Sequence, residues 1–328
     1  MRLVTYEPGP SIARFGALLK DGRIADLEGA FTACLAQDMP ADRARSLARA
    51  MTPPDAQSFI EGGEVCLNAA RRALDFVEKS LAAGRVPTGP RGEKIVFEID
   101  AVKLKAPLKP RKFIAAGKNY FAHQQEMQQK ADPTGPRVPI AHVQFASTVA
   151  DPDATVKFPR ETRHMDYEVE IAVVIGKPCY NVPRDKVYDY VFGYTIFNDL
   201  TDRDMYRGEN SQGGGIGCLG KNFEGFSPLG PYLATKDEIA NPQDLLLESR
   251  VNGEVRQHDR SSLMMFKIDE QIAHWSKIGL EPGDMLGSGT PGGVAMGRKH
   301  GEKPWWLKRG DVVECEVEGL GVLRTRIA

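Results

Sequence analysis

The chain has 328 residues, of which 41% are apolar and 27% charged, so a sizeable core is expected in one large or two modest domains. Its 43 basic and 44 acidic residues leave a formal net charge of −1, without the positive excess that binding to nucleic acid or to an anionic membrane requires. No apolar run of about 18 residues could span a bilayer, and the N-terminus lacks a signal-peptide pattern, so a cytoplasmic location is expected.

The first hundred residues predict a small domain of strands followed by helices. Residues 2–28 contain the strand-like segments RLVTYE, RFGALLK and RIADL, with a turn at Asp21-Gly22. Residues 29–85 are rich in Ala, Arg and Leu and predict two or three helices, the last of them closed by Gly84. The prolines among basic residues in 103–112 indicate a linker, which places a domain boundary near residue 105.

The segment GKNYFAHQQEM, residues 117–127, predicts a short helix with His123 and Glu126 one turn apart on the same face. Asn119 is a candidate N-cap of this helix. A carboxylate beside an imidazole fixes its tautomer and raises its basicity, which makes a general base for water. A surface helix without function is the alternative. The polar segment that follows, residues 128–139, could form a lid.

The segment DYEVEIAVVIG alternates with a period of two, which puts Glu168 and Glu170 on one face, about 7 Å apart along a strand. Asn198 and Asp199 end another apolar strand, where a sheet opens into a loop. Three carboxylates from two strands suit a hard cation such as Mg²⁺, Mn²⁺ or Ca²⁺, whereas Zn²⁺ would recruit His or Cys, and none lies beside these residues. Solvated acids on a half-exposed strand are the alternative.

Two glycine-containing segments carry further candidates. The segment 213–231 matches neither a dinucleotide motif nor a P-loop, but its Lys221 could offer a cation to an oxyanion, or be an ordinary surface lysine. GTPGG, residues 289–293, predicts a tight turn whose exposed backbone N–H groups could bind an anionic end of a substrate, or a hairpin without function.

Other polar residues give no functional pattern. The five cysteines include no C-x-x-C pair and are interpreted as reduced thiols: Cys34, Cys66, Cys179, Cys218 and Cys315. Five histidines lack metal-ligand spacing and are interpreted as structural or surface residues: His142, His164, His258, His274 and His300.

The order and spacing of these motifs resemble the fumarylacetoacetate hydrolase family. The motifs are G-x-N-Y-x-x-H-x-x-E, D-Y-E-x-E, N-D-x-T-x-R-D, G-K-x-F-x-x-x-x-P-L-G-P, G-T-P-G-G-V and L-K-x-G-D-V-V-E-x-E-V-E-G-L-G, from about residue 107 to the C-terminus. The resemblance implies an α+β fold in a homodimer, with a mixed β-roll catalytic domain at 106–328 and a smaller N-terminal α/β accessory domain at 1–105.

By motif position, the resemblance implies a role for each candidate. Glu168, Glu170 and Asp199 would hold Mg²⁺ or Mn²⁺, with Ca²⁺ as a further candidate, and His123 and Glu126 would form the base dyad. The residues implied in stabilising an oxyanion are Lys221 and Arg203. The residues implied in substrate binding are Tyr120, Tyr206, Gln144 and Thr290.

The implied substrate is a small dicarbonyl or 2-keto acid. The leading interpretation is a metal-dependent hydrolase that cleaves a C–C bond in an acylpyruvate or other 1,3-dicarbonyl, with a water activated by His123 and a metal-stabilised enolate as leaving group. The alternative is the same scaffold acting as a decarboxylase of a 2-keto acid such as oxaloacetate, an isomerase or a sugar-acid dehydratase. A catalytically idle ligand-binding protein is disfavoured, because ligands, dyad and lysine are all present.

Three positions depart from the family pattern. Gln144-Phe145-Ala146 stands where many members have Lys-Pro-Pro, and Tyr206 stands near a position that is typically Gln. The loss of a lysine and the gain of an aromatic side chain predict a bulkier or less anionic substrate. Asp202, where alanine is common, has no interpretation from the sequence.

Overall fold

A computed structural model describes residues 1–10, 12–127, 137–207, 219–298, 302 and 304–328 of the chain. The helices in these ranges are α1 (Leu27–Leu35), α2 (Ala41–Met51), α3 (Ala56–Glu61), α4 (Gly63–Ala82), α5 (Phe121–Met127), α6 (Arg203–Arg207) and α7 (Ile268–Trp275). The strands are β1 (Arg2–Glu7), β2 (Arg14–Leu18), β3 (Ile24–Asp26), β4 (Val96–Phe97), β5 (Lys103–Lys105), β6 (Phe113–Gly117), β7 (Ile140–Gln144), β8 (Val149–Ala150), β9 (Thr155–Val156), β10 (Met165–Asp166), β11 (Val169–Ile175), β12 (Val191–Asn198), β13 (Thr201–Asp202), β14 (Ser227–Thr235), β15 (Leu246–Val251), β16 (Glu254–Arg260), β17 (Met285–Gly287), β18 (Val312–Val317) and β19 (Gly321–Ile327). The predicted lid lies mostly outside the described residues, as do Cys218 and His300.

The N-terminal strands and helices follow the sequence pattern closely. Asp26 ends β3 and caps α1, because its side chain accepts a hydrogen bond from the backbone N–H of Gly29. Four helices, α1 to α4, occupy the region where two or three were predicted. Gly84, with φ of +72°, lies just beyond α4, as expected for a residue that ends a helix in the left-handed region.

The predicted linker at 103–112 is partly wrong, because its first three residues form β5. This strand pairs antiparallel with β1, and Thr5 lies opposite Lys105. The basic residues that suggested a solvated connection instead sit on an edge strand, where charged side chains are compatible with pairing on one side only.

One mixed twelve-stranded sheet joins the N-terminal strands to the central strands of the chain. Its order is β4-β3-β2-β1-β14-β12-β11-β17-β6-β7, with β5 on β1 and β8 on β14. β6 runs parallel to β17, while β11 is antiparallel to both β12 and β17. The N-terminal strands therefore extend the sheet that carries the central strand β11, rather than forming a sheet of their own.

Two cores cover the faces of this sheet. Val169, Ile171 and Val173 pack in the same core as Leu247 and Val313 of a second, five-stranded sheet, of order β16-β15-β18-β19-β9. On the opposite face, Ala172 and Val174 belong to a core shared with helices α1 to α4. The layers confirm the predicted α+β class. None of the helices in the described ranges is long and apolar enough to cross a membrane.

Candidate metal centre and active site

Three buried carboxylates meet where β11 begins and β12 ends. Glu168, Glu170 and Asp199 each offer an oxygen, and these oxygens lie within 4.8 Å of one another. The antiparallel pairing of Val169 with Asn198 sets this proximity, because it brings the start of one strand opposite the end of the other. Glu168 is 5% exposed and the other two are fully buried. The alternative of solvated acids on a half-exposed strand is therefore wrong.

Arg203 and Lys221 are the cations that face these carboxylates. The guanidinium of Arg203 pairs with Asp166 at 2.9 Å and also with Glu168. The ammonium of Lys221 donates to Glu168 at 2.8 Å, to Asp199 at 2.6 Å and to the Thr201 hydroxyl at 2.8 Å. All three N–H groups of Lys221 therefore already donate to oxygens of the protein. Lys221 could donate to a substrate oxyanion only if one of these hydrogen bonds were broken.

The charges in this buried cluster do not balance. Two cations, Arg203 and Lys221, face four carboxylates, which leaves a formal charge of −2 when all are ionised. The four carboxylates are Asp166, Glu168, Glu170 and Asp199. Because buried charge is costly unless it is compensated, a divalent cation would complete the cluster.

The pKa values of the two glutamates reflect this imbalance. Burial alone would raise the pKa of Glu168, but the cations of Lys221 and Arg203 hold it well below its usual range. Burial raises the pKa of Glu170 well above its usual range, and the charges of Asp199 and Glu168 raise it further. Glu170 is therefore the carboxylate with the strongest demand for an additional positive charge.

Glu170 also has the free oxygen that a ligand needs. Its Oε2 accepts a hydrogen bond from the Gly289 backbone at 2.9 Å, while its buried Oε1 has no hydrogen-bond partner among the described residues. Gly287 makes room for this glutamate, because a Cβ there would lie 2.7 Å from Oε2. A carboxylate-rich donor set with an unsatisfied oxygen fits a hard divalent cation such as Mg²⁺ or Mn²⁺.

Asp199 is oriented by residues that are distant in sequence. Gln144 donates from Nε2 to its Oδ1 at 2.6 Å, and His142 Nε2 lies 3.2 Å from its Oδ2. His142, interpreted from the sequence as a structural or surface residue, contacts Asp199, so the statement that no histidine lies beside the acids is wrong. The pairing of β7 with β6 brings it there, and only the alternation HVQ, which puts His142 and Gln144 on one face, could have indicated it.

His123 and Glu126 form a hydrogen-bonded pair on α5. The Nδ1 atom of His123 lies 2.9 Å from Glu126 Oε1, and Glu126 Oε2 accepts from the Gly293 backbone N–H at 2.8 Å. An ionised carboxylate can only accept, so Nδ1 donates in this pair, and the neutral form of the imidazole would have its lone pair on Nε2. His123 also lines the cavity beside Glu168, which places its side chain at the candidate site.

Two N–H groups of the Gly289–Gly293 turn are not available to a ligand as the sequence suggested. Residues 288–291 are buried, and the N–H groups of Gly289 and Gly293 are bound to the chain's own Glu170 and Glu126. The Thr290 hydroxyl donates to the Val169 carbonyl at 3.0 Å and accepts from the Gln257 amide. The N–H groups of Gly289 and Gly293 therefore orient the two functional glutamates and are not free donors for a substrate.

A cavity of about 110 Å³ connects the dyad with the acid cluster. Among the described residues, its charged and polar lining includes Lys118, His123, His142, Arg203, Lys221 and Thr290. Tyr120 is fully buried and is not among the described lining residues, and the side chain of Tyr206 lies outside the described residues. Phe145 is 53% exposed and is not among the described lining residues either, so it gives no support to a bulkier substrate.

Two further residues have structural explanations that the sequence did not give. Asp202 accepts hydrogen bonds from the backbone N–H groups of Asp204 and Met205 at the start of α6, so it caps this short helix. Asn119 is not the N-cap of α5, because its side chain is bonded to the backbone of Phe266 and Ser288.

Replacing Gly297 by alanine is expected to lower kcat by about tenfold or more, because it displaces the glutamate of the dyad. An added Cβ would lie 2.4 Å from Cδ and Oε2 of Glu126, and this flexible side chain would move away from His123. A lost charge-assisted hydrogen bond of this kind costs about 1.5–3 kcal/mol. Steady-state kinetics check the prediction, together with thermal unfolding, which should change little. An unchanged kcat would show that Glu126 does not need this close approach.

The chain is similar to known proteins both in sequence and in fold. Residues 112–328 match the family described as fumarylacetoacetate (FAA) hydrolase C-terminal. A mitochondrial oxaloacetate tautomerase of Rattus norvegicus is 39% identical over 277 residues, which cover 84% of this chain and 80% of the rat protein. Among solved structures, fumarylacetoacetate hydrolase from Exiguobacterium antarcticum is 26% identical with a TM-score of 0.72, covering 100% of this chain and 99% of its own. A 5-carboxymethyl-2-hydroxymuconate delta-isomerase from Mycobacterium smegmatis is 25% identical with a TM-score of 0.68, at the same coverage.

Proposed function

This chain belongs to the fumarylacetoacetate hydrolase family, and we propose on that basis that it is a metal-dependent tautomerase of a small 2-keto dicarboxylic acid of the oxaloacetate type. The reaction interconverts the enol and keto forms by moving one proton between the enol oxygen and C3. It falls within the isomerase alternative that the sequence left open, and it replaces C–C bond hydrolysis as the leading candidate.

The size and charge of the cavity carry this proposal. Its volume of about 110 Å³ is below the 300–1,000 Å³ of sites for drug-sized ligands. Its lining includes Glu168, Arg203 and Lys221, whose charges are paired in the acid cluster, and Lys118, whose positive charge together with that of a bound divalent ion would favour an anionic ligand. A four-carbon keto diacid suits both properties better than a long acylpyruvate does.

Each group of residues at the site would have its own role in this reaction. A divalent ion held by Glu168, Glu170 and Asp199 would supply Lewis-acid polarisation of the 2-keto acid. His123 would take up or return the proton at C3 through Nε2, while Glu126 keeps the imidazole in the required tautomer. Lys221 and Arg203 would hold the acidic residues in their ionised form, as the low pKa of Glu168 indicates.

C–C bond hydrolysis is the second candidate, and the dyad is the observation that favours it. An imidazole whose Nδ1 is bound to a carboxylate and which lines a cavity can also deprotonate a water molecule. Hydrolysis requires room for this water beside the substrate, however, and a longer dicarbonyl would have to share about 110 Å³ with it. The small cavity therefore ranks tautomerisation first.

The test is the conversion of enol-oxaloacetate in the presence of Mg²⁺ or Mn²⁺. The reaction is measured as the loss of the ultraviolet absorbance of the enol. We expect a rate far above that of the free metal ion, abolished by EDTA and restored by added metal, and no release of CO₂. An acylpyruvate assayed in parallel for acid production measures the hydrolase candidate. A rate equal to the protein-free control with enol-oxaloacetate would reject the tautomerase.

Assembly and location remain proposals as well. Ile140 and Val143 on the edge strand β7, followed by Phe145, expose apolar side chains, which supports the homodimer implied by the family resemblance. The cytoplasmic location expected from the sequence stays a prediction, since the rat relative is a mitochondrial protein. The proposed partner is a small keto acid, with neither nucleic acid nor membrane.

A further inference from the structure

We propose that Lys118 binds the distal carboxylate of the substrate and so selects 2-keto dicarboxylic acids over 2-keto monocarboxylic acids. The inference rests on the proposed function, because it assigns the substrate class of the same site. Lys118 follows β6 directly and precedes α5, the helix that carries His123.

The first argument is that two of the cationic side chains lining the cavity are already paired with carboxylates. Lys221 uses its three N–H groups on Glu168, Asp199 and Thr201, and Arg203 is paired with carboxylates of the buried cluster. Lys118 lines the same cavity and forms no hydrogen bond or ion pair among the described residues. Its ammonium group is therefore available to an incoming anion at no cost in existing ion pairs.

The second argument is the backbone conformation of Lys118. Its φ of +51° lies in the left-handed region, which is unfavourable for residues with a Cβ and is adopted without strain by glycine. The neighbouring Asn119 is anchored by side-chain hydrogen bonds to the backbone of Phe266 and Ser288. Strained residues of this kind concentrate at functional sites, and here the strain places a long cationic side chain on the cavity wall.

The third argument is the separation of Lys118 from the acid cluster. β6 and β11 are separated by β17, so their axes lie two strand spacings apart, about 10 Å. The carboxylates that would hold the cation begin at β11, whereas Lys118 starts from the end of β6. A short substrate chelated through its keto-acid end at β11 can thus reach the Lys118 ammonium with a second carboxylate.

Matched ligands test this inference independently of turnover. Malate and 2-hydroxybutyrate share a 2-hydroxy acid end and four carbons, but only malate has a distal carboxylate. Titration calorimetry with the Mn²⁺-loaded protein should show that Lys118→Met and Lys118→Gly weaken malate binding by about 10- to 100-fold, as expected for a lost charge-assisted hydrogen bond. The affinity for 2-hydroxybutyrate should stay near that of the wild type.

The variants include their own controls. Lys118→Gly relieves the backbone strain and should fold at least as well as the wild type, while Lys118→Arg should restore most of the preference for malate. Lys177→Met removes an exposed lysine that is absent from the cavity lining and should change neither affinity. Equal losses for both ligands, or none, would overturn the role of Lys118. Failure of the wild type to convert enol-oxaloacetate would overturn the proposed function instead, and the comparison of the two ligands would still decide the role of Lys118.

Discussion

Replacing Glu170 by glutamine is expected to abolish the binding of Mg²⁺ or Mn²⁺ while leaving the metal-free protein at least as stable as the wild type. Glutamine keeps the shape of the side chain and one oxygen for the Gly289 N–H. It also removes one of four buried carboxylates, which face two lysine or arginine side chains in the part of the chain that the structure describes. Burial and neighbouring charges raise the pKa of Glu170, which means that its ionised form is unfavourable without a further cation.

Thermal unfolding with EDTA and with saturating Mn²⁺ checks both parts of this prediction. A ligand at about 1,000 times its Kd adds about 4 kcal/mol to the stability of the folded state, so the wild type should shift upward clearly. Glu170→Gln should not shift, and its activity should fall at least about 1,000-fold, because polarisation by the ion contributes several kcal/mol. Glu224→Gln, at an exposed position, is the control. An equal Mn²⁺-dependent shift in both variants would disprove this ligand assignment.

Replacing His123 by alanine is expected to lower kcat by about 100- to 10,000-fold, the usual contribution of a positioned general acid or base. The metal-dependent stabilisation should persist, because His123 is bonded to Glu126 and belongs to neither β11 nor β12. Glu126→Gln should have a smaller effect. Its side chain offers one acceptor oxygen where the carboxylate uses two, for His123 and for the Gly293 N–H.

His164→Ala is a matched control for the dyad. His164 also has its Nδ1 beside a carboxylate, at 2.5 Å from Asp204, but it is absent from the described lining of the cavity. Its replacement should leave kcat near the wild-type value. If His123→Ala retained most of its tautomerase activity in deuterium-incorporation measurements at C3, another group would have to move the proton. A loss of hydrolysis alone would instead assign the dyad to the activation of water.

The local patterns that the sequence predicted depend on near neighbours in the chain. The period of two in DYEVEIAVVIG gave a strand with Glu168 and Glu170 on one face, and β11 has that arrangement. The spacing of three between His123 and Glu126 gave a hydrogen-bonded pair, since residues one helical turn apart are neighbours. The order of the motifs gave the family, because it samples positions along two thirds of the chain.

These local patterns do not predict the long-range contacts that complete the site. His142 and Gln144 reach Asp199 across 57 and 55 residues of sequence, and Gly289 reaches Glu170 across 119. No periodicity encodes which residues of distant strands become opposite one another. The prediction of free N–H groups in the GTPGG turn is wrong for Gly289 and Gly293 for this reason, since their acceptors lie on other elements.

The sequence by itself therefore determined the strand β11 and the helix α5, the family, and the identity of the acidic and basic candidates. Their charge balance was decided by the tertiary structure, which buries four carboxylates with two cations and leaves Lys118 without a partner among the described residues. The physical reason is that burial and pairing set the free energy of a charged group, and both depend on the strand order β11-β17-β6-β7. A carboxylate in a strand pattern is only a candidate until the fold fixes which cations surround it.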